Sequence, residues 1–107
     1  MVVRQYPRLP ALFSGTLICQ NSSHAITQSV DLSRKGCRLR SPILVLAGMK
    51  VDLLLYVPGE EIPLLIQRAT VRWSGRHGIG IEFQRLAFPH QERLDTFLRQ
   101  LIIAAYN

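Results

Sequence analysis

Apolar and polar residues alternate in short runs along most of this chain, and the period changes once, near the end. From Ile26, the apolar positions Ile26, Val30 and Leu32 fall on one face and Thr27, Ser29, Asp31 and Ser33 on the other, with Gln28 as the one exception. Cys37 and Leu39 then point inward between Arg38 and Arg40. Val51, Leu53, Leu55 and Val57 make another apolar face, as do Val71 with Trp73 and then Ile79, Ile81 and Phe83. A period of two is that of a strand with one buried face. Turn residues punctuate these runs at short intervals: Pro10, QNSS from Gln20, RKG from Arg34, SP from Ser41, PGEE from Pro58, SGRHG from Ser74 and Pro89. Such spacing predicts an all-β barrel or sandwich. In VPGE, Pro58 presets φ and Gly59 accepts a positive φ, the requirements of a type II turn.

After Pro89, a suitable first helical residue, Leu94, Phe97, Leu98, Leu101, Ile102 and Ala105 follow helical spacing. Asp95 and Arg99 stand at i and i+4, where opposite charges attract. The prediction is a mostly β fold: about six antiparallel strands in a barrel, with one C-terminal helix over its open end. The boundaries read 1–10 for an N-terminal arm, 11–88 for the barrel and 89–107 for the helix, all in one domain.

Composition adds constraints. A chain of 107 residues that is 48% hydrophobic suits one core without staples. Cys19 and Cys37 lie in strand-like apolar runs, so two reduced, buried thiols are expected instead of a disulfide framework. The opening MVVRQYPRLP lacks the apolar core of a secretory signal, and ILVLAGM from Ile43 is too short to span a bilayer. A soluble, cytoplasmic protein without membrane insertion is expected. The formal charge is +6, and of 13 basic residues only Lys35 and Lys50 are lysines. Arginine offers a planar fork that fits phosphate and guanine edges, so the skew suggests anionic partners. Catalysis is not expected. His24, His77 and His90 lie in separate segments without metal-ligand spacing, Glu60 and Glu61 share a turn, and neither a nucleophile elbow nor a phosphate loop is present. No catalytic or metal-binding residue is predicted.

Two stretches carry candidate chemistry. RQYPR places Arg4 and Arg8 four apart in a segment that Pro7 and Pro10 keep extended. Their side chains would face the same way, roughly 13 Å apart, a span that suits a sizeable anion. Terminal segments of this kind are usually loose unless tied down, so a flexible arm is expected. DLSRKG places Asp31, Ser33 and Gly36 at the spacing D-x-S-x-x-G, with Asp31 and Ser33 on the outward face and Gly36 at a sharp turn. A carboxylate there can accept from the N1–H and N2–H₂ of a guanine, and a hydroxyl can serve base or phosphate. The same residues also suit a capped turn, with Asp31 and Ser33 bonded to the backbone. Arg34, Lys35, Arg38 and Arg40 add positive potential with no particular contact assigned, and Trp73 reads as core or barrel rim.

Together RQYPR, DLSRKG, VRW at Val71 and GIEF at Gly80 resemble, in order and spacing, the PilZ domain, a bacterial receptor family for the second messenger cyclic di-GMP. The resemblance runs from Arg4 to the C-terminal helix. It implies a six-stranded antiparallel PilZ-type β-barrel with a C-terminal helix, and a receptor that orders its arm on the ligand and signals to a protein partner. It implies that Arg4 and Arg8 clamp phosphates and the Hoogsteen edges of guanine, that Asp31 and Ser33 meet the opposite side of a base, and that Gly36 permits the turn. Many members carry a further arginine just before the arm, where this chain has Val3, which leaves one ligand molecule or a stacked pair open. Two other readings stand beside it: a small basic barrel binding single-stranded nucleic acid, disfavoured by scattered aromatics, and a PilZ-like adaptor that has lost its ligand.

Overall fold

The computed structural model describes residues 9–10, 13–26, 28–40 and 43–105. Eight strands and one helix follow in the order β1 (Leu9–Pro10), β2 (Ser14–Cys19), β3 (Ser22–Ile26), β4 (Gln28–Ser33), β5 (Gly36–Arg40), β6 (Lys50–Tyr56), β7 (Leu64–Gly75), β8 (Gly78–Glu82) and α1 (His90–Ala105). All pairings are antiparallel, in one sheet of order β1-β4-β5-β8-β7-β6-β2-β3. The fold is thus mostly β with a C-terminal helix, but the strand count is eight, not six.

One extra strand is β1, which lies within the stretch 1–10 read as the arm, and the other has a local cause. The run read as one strand through Ile26 and Leu32 is two, and Gln28, which interrupts its alternation, begins the second. β3 ends at Ile26 and pairs with β2, whereas β4 starts at Gln28 and pairs with β5 and β1. In the sheet order β4 and β3 stand six places apart. In a flat sheet that is about 29 Å, yet two residues of chain span at most about 7 Å. The sheet must therefore curl enough to bring the end of β3 near the start of β4. Among the described residues no ladder joins β3 to β4, so the hydrogen bonding does not close.

Most inward faces follow the alternation, but Val30, read as inward with Ile26 and Leu32, falls at a register shift between Ser29 and Asp31 and is only half-buried. Val51, Leu53, Leu55 and Val57 are buried, as are Leu17, Leu32, Cys37, Leu39, Val71, Ile79, Ile81 and Phe83. Each large aliphatic so removed from water contributes about 1.5–3 kcal/mol. Cys19 and Cys37 are both buried, and no disulfide joins them. Turn chemistry sets the joints. Gln20 and Asn21 both take positive φ in the two-residue β2–β3 link, the conformation that hairpins favour. Gly59 has φ 85° and the Glu60 amide donates to the Val57 carbonyl at 3.1 Å, the predicted type II turn.

Helix α1 turns Leu94 and Leu98 into the core with Phe97 and Leu101 packed beside them, while Ile102 lies at the exposed margin. His90 Nδ1 accepts from the Leu65 amide at 3.2 Å, and Arg93 donates to the carbonyls of Ile62 and Pro63, so the helix start is bolted to the entry of β7. Asp95 takes Arg34 and Gln91 as partners, and Arg99 donates to Thr96, in place of the predicted Asp95–Arg99 pairing.

Candidate functional site

Asp31, Ser33 and Gly36 come together in the hairpin of β4 and β5, whose two-residue turn is Arg34–Lys35. Asp31 and Ser33 alternate with core Leu32, so they lie on the outward face, yet each is only 3% exposed. Arg38 stands directly across from Asp31 and donates through Nε to Oδ2 at 2.5 Å, with Nη2 on the same oxygen. On its other flank β1 pairs with β4, Leu9 opposite Leu32 and Pro10 opposite Asp31. Proline suits such an edge because it has no amide to offer a further strand. The pairing raises the pKa of Arg38, first through the hydrogen bond from its guanidinium to Asp31 and then through the carboxylate's charge.

Ser33 is occupied in the turn. Its hydroxyl accepts from the Lys35 amide at 3.2 Å and donates to the Gly36 carbonyl at 3.3 Å. The capped-turn reading thus describes Ser33, and Asp31 pairs with the Arg38 side chain. Gly36 needs a correction. Its φ is not positive, unlike Gly48, Gly59 and Gly78. Close approach requires the glycine instead, because a Cβ there would collide with the Ile81 carbonyl oxygen of β8 and come within 3.3 Å of Glu82 Cα.

Trp73 departs from the inward face that its alternation with Val71 predicts. A register shift between Val71 and Trp73 in the β7–β8 pairing turns it outward, and it is 42% exposed. Its indole occupies the space a side chain at Gly80 would need. Gly80 pairs with Trp73 on one side and Arg38 on the other, and Arg38 pairs with Asp31. Four neighbouring strands therefore align one row on the outward side of the sheet, carboxylate, guanidinium, glycine and indole, of which Arg38 and Trp73 are exposed and Asp31 and Gly80 are buried. Arg38 was legible in principle, since a two-residue turn at 34–35 forces 31 opposite 38. No such arithmetic reveals the shift that exposes Trp73.

Other parts of the corner reach the helix. Arg34 Nε meets Asp95 Oδ1 at 3.1 Å, and Phe83 N donates to the Lys35 carbonyl at 2.7 Å. A cleft of about 890 Å³ opens upstream on β4, lined by Phe13, Ser29, Val30, Arg40 and Tyr56 among others, but not by the motif residues. Arg4 and Arg8 lie outside the described residues. Among those described, no three His, Cys, Asp or Glu side chains gather to hold a metal, and no helix is long and apolar enough to cross a membrane.

Comparison with known proteins agrees with this architecture. No curated protein sequence matches the chain. Among solved structures it is similar to the Bacillus subtilis inhibitor of motility MotI/DgrA, with a TM-score of 0.71 at 20% identity. That match covers 95% of this chain and 53% of the other, so the chain spans about half its neighbour's length, and the likeness is one of fold. The model described as PilZ domain matches residues 3–100. With nearly the whole sequence inside that match, the chain belongs to the PilZ domain family.

Proposed function

We propose that the domain is a non-catalytic, cytoplasmic receptor for cyclic di-GMP, bound on the outer face of a PilZ-type barrel between the N-terminal arm and the β4–β5 hairpin. The observation that carries this reading is the row Asp31–Arg38–Gly80–Trp73, flanked by β1. It aligns an acceptor, a planar cation and an aromatic plate, the three features that a guanine edge and face require. The arm enters the sheet beside Asp31, because Leu9, next in sequence to Arg8, pairs with Leu32. Arg4 and Arg8 are assigned to phosphate and Hoogsteen edges, Asp31 and Ser33 to the opposite side of a base, and Gly36 to the close strand contact beneath them.

Magnitudes require these groups to act together. A bidentate arginine–guanine contact contributes about 1–3 kcal/mol. Micromolar affinity needs about 8 kcal/mol net of ordering the arm. Ligand binding orders the arm and changes the displayed surface, which a protein partner then reads. The Arg34–Asp95 contact gives the same corner a second route of output, toward α1.

Calorimetric titration with cyclic di-GMP tests the reading, with GTP, cyclic AMP and a short single-stranded RNA as controls. Micromolar, saturable binding of cyclic di-GMP alone is expected. Absent heat with cyclic di-GMP, or RNA binding that falls steeply with salt, overturns it.

A further inference from the structure

A second basic feature lies away from the arginine arm and the β4–β5 hairpin, five residues along β7 from Trp73, or about 17 Å. There the chain carries the same dipeptide twice, Gln67–Arg68 and Gln84–Arg85. Both pairs are exposed and, with His90, border one small cleft of about 260 Å³.

The backbone is bent to make it. In the β6–β7 ladder, Leu53 pairs with Ile66 and Val51 with Ala69, so Gln67 and Arg68 together oppose the single residue Asp52. Such a bulge re-aims side chains, and here two consecutive residues reach solvent where alternation would bury one. Arg68 occupies the left-handed region at φ 57°, a place that glycine fills without strain. Its amide is caught by Asp52 Oδ1 at 2.9 Å, which fixes the bend. A large side chain held in a strained conformation points to a use for that side chain.

The charges are available. Among the described residues the ion pairs use Arg34, Arg38, Arg72 and Arg93, and neither Arg68 nor Arg85 takes part in one. His90 accepts on Nδ1 from the Leu65 amide, so its neutral ring carries the proton on Nε2, a third donor beside the cleft. Two guanidinium forks, two carboxamides and an imidazole N–H form a donor set that suits tetrahedral oxyanions. We propose that this cleft binds a small, free, phosphate-bearing anion, with Arg68 and Arg85 as its principal contacts. The site stands on its own observations and does not depend on the cyclic di-GMP reading.

Arg68→Gly separates binding from folding, because it relieves the backbone while removing the charge. Inorganic phosphate and pyrophosphate are titrated into the ¹⁵N-labelled chain at constant ionic strength, with chloride as the control. The amides of residues 67–68, 84–87 and 90 are expected to shift saturably, with pyrophosphate the tighter ligand. Arg68→Gly is expected to bind pyrophosphate at least tenfold more weakly while melting at or above the wild-type temperature, and Arg85→Gln to weaken it similarly at an unchanged melting temperature. The proposal is overturned if those amides stay still, if they move equally with chloride, or if Arg68→Gly retains wild-type affinity.

Discussion

Gly36→Ala tests the least obvious claim about the motif, that its glycine is required by packing and not by a turn. The added methyl carbon would meet the Ile81 carbonyl oxygen and crowd Glu82 Cα. Both belong to the backbone of β8, so no flexible side chain can yield. Gly36 is paired on both sides, with Ser33 and with Glu82, so moving it strains two ladders. Overpacking costs about 1–3 kcal/mol, and each ladder hydrogen bond lost adds about 1 kcal/mol. A loss of roughly 2–4 kcal/mol is expected, which for a domain of this size lowers the melting temperature by about 10–25 °C. Gly75→Ala is the matched control, because nothing lies within 4 Å of its Cβ position and its φ is ordinary. That variant should melt within about 4 °C of wild type, on the stable side, since alanine restricts the unfolded chain. Differential scanning calorimetry reads both. A Gly36→Ala protein melting within about 3 °C of wild type, or a Gly75→Ala protein falling as far as Gly36→Ala, refutes the packing argument.

Other consequences follow from the same geometry. Arg38→Met removes the charged partner of a carboxylate only 3% exposed and should cost about 1–2 kcal/mol in urea unfolding, with Asp31→Asn in that background recovering part of it. Arg8→Ala should weaken cyclic di-GMP binding at least about tenfold by calorimetry, since one bidentate contact is lost. The single tryptophan, 42% exposed beside Arg38, should change its fluorescence as cyclic di-GMP saturates the domain, and Trp73→Ala should weaken binding. His90→Phe strands the Leu65 amide and should cost about 1–2 kcal/mol, more than His90→Asn, whose side-chain oxygen can still accept.

Much of the fold could be read from periodicity because burial enforces it residue by residue. Every member of the Val51–Val57 set is buried, and the Leu94–Leu98 stripe meets the core. What escaped is what bulges and breaks decide. Two strands adjacent in sequence, β3 and β4, stand six places apart in the sheet order, and only the interruption at Gln28 hinted at it. The register shift at Trp73 depends on cross-strand pairing that no local pattern encodes, and a left-handed arginine at position 68 contradicts local preference outright. At the candidate site the motif residues do converge, and the capped turn at Ser33 was legible, whereas the packing need for Gly36 was not. Asp31 lies under Arg38, Ser33 is engaged by its own turn, and Gly36 answers to β8. The role of the arginine arm rests on family membership and on where Leu9 enters the sheet.

Chemical-shift mapping of the ¹⁵N-labelled domain during a cyclic di-GMP titration tests the central claim most directly. The amides of Arg4, Arg8 and residues 31–36 are predicted to move together, with a single dissociation constant, as arm and hairpin take hold of one ligand. Shifts confined to another face, or a hairpin response that leaves the arm's amides unmoved, would contradict it.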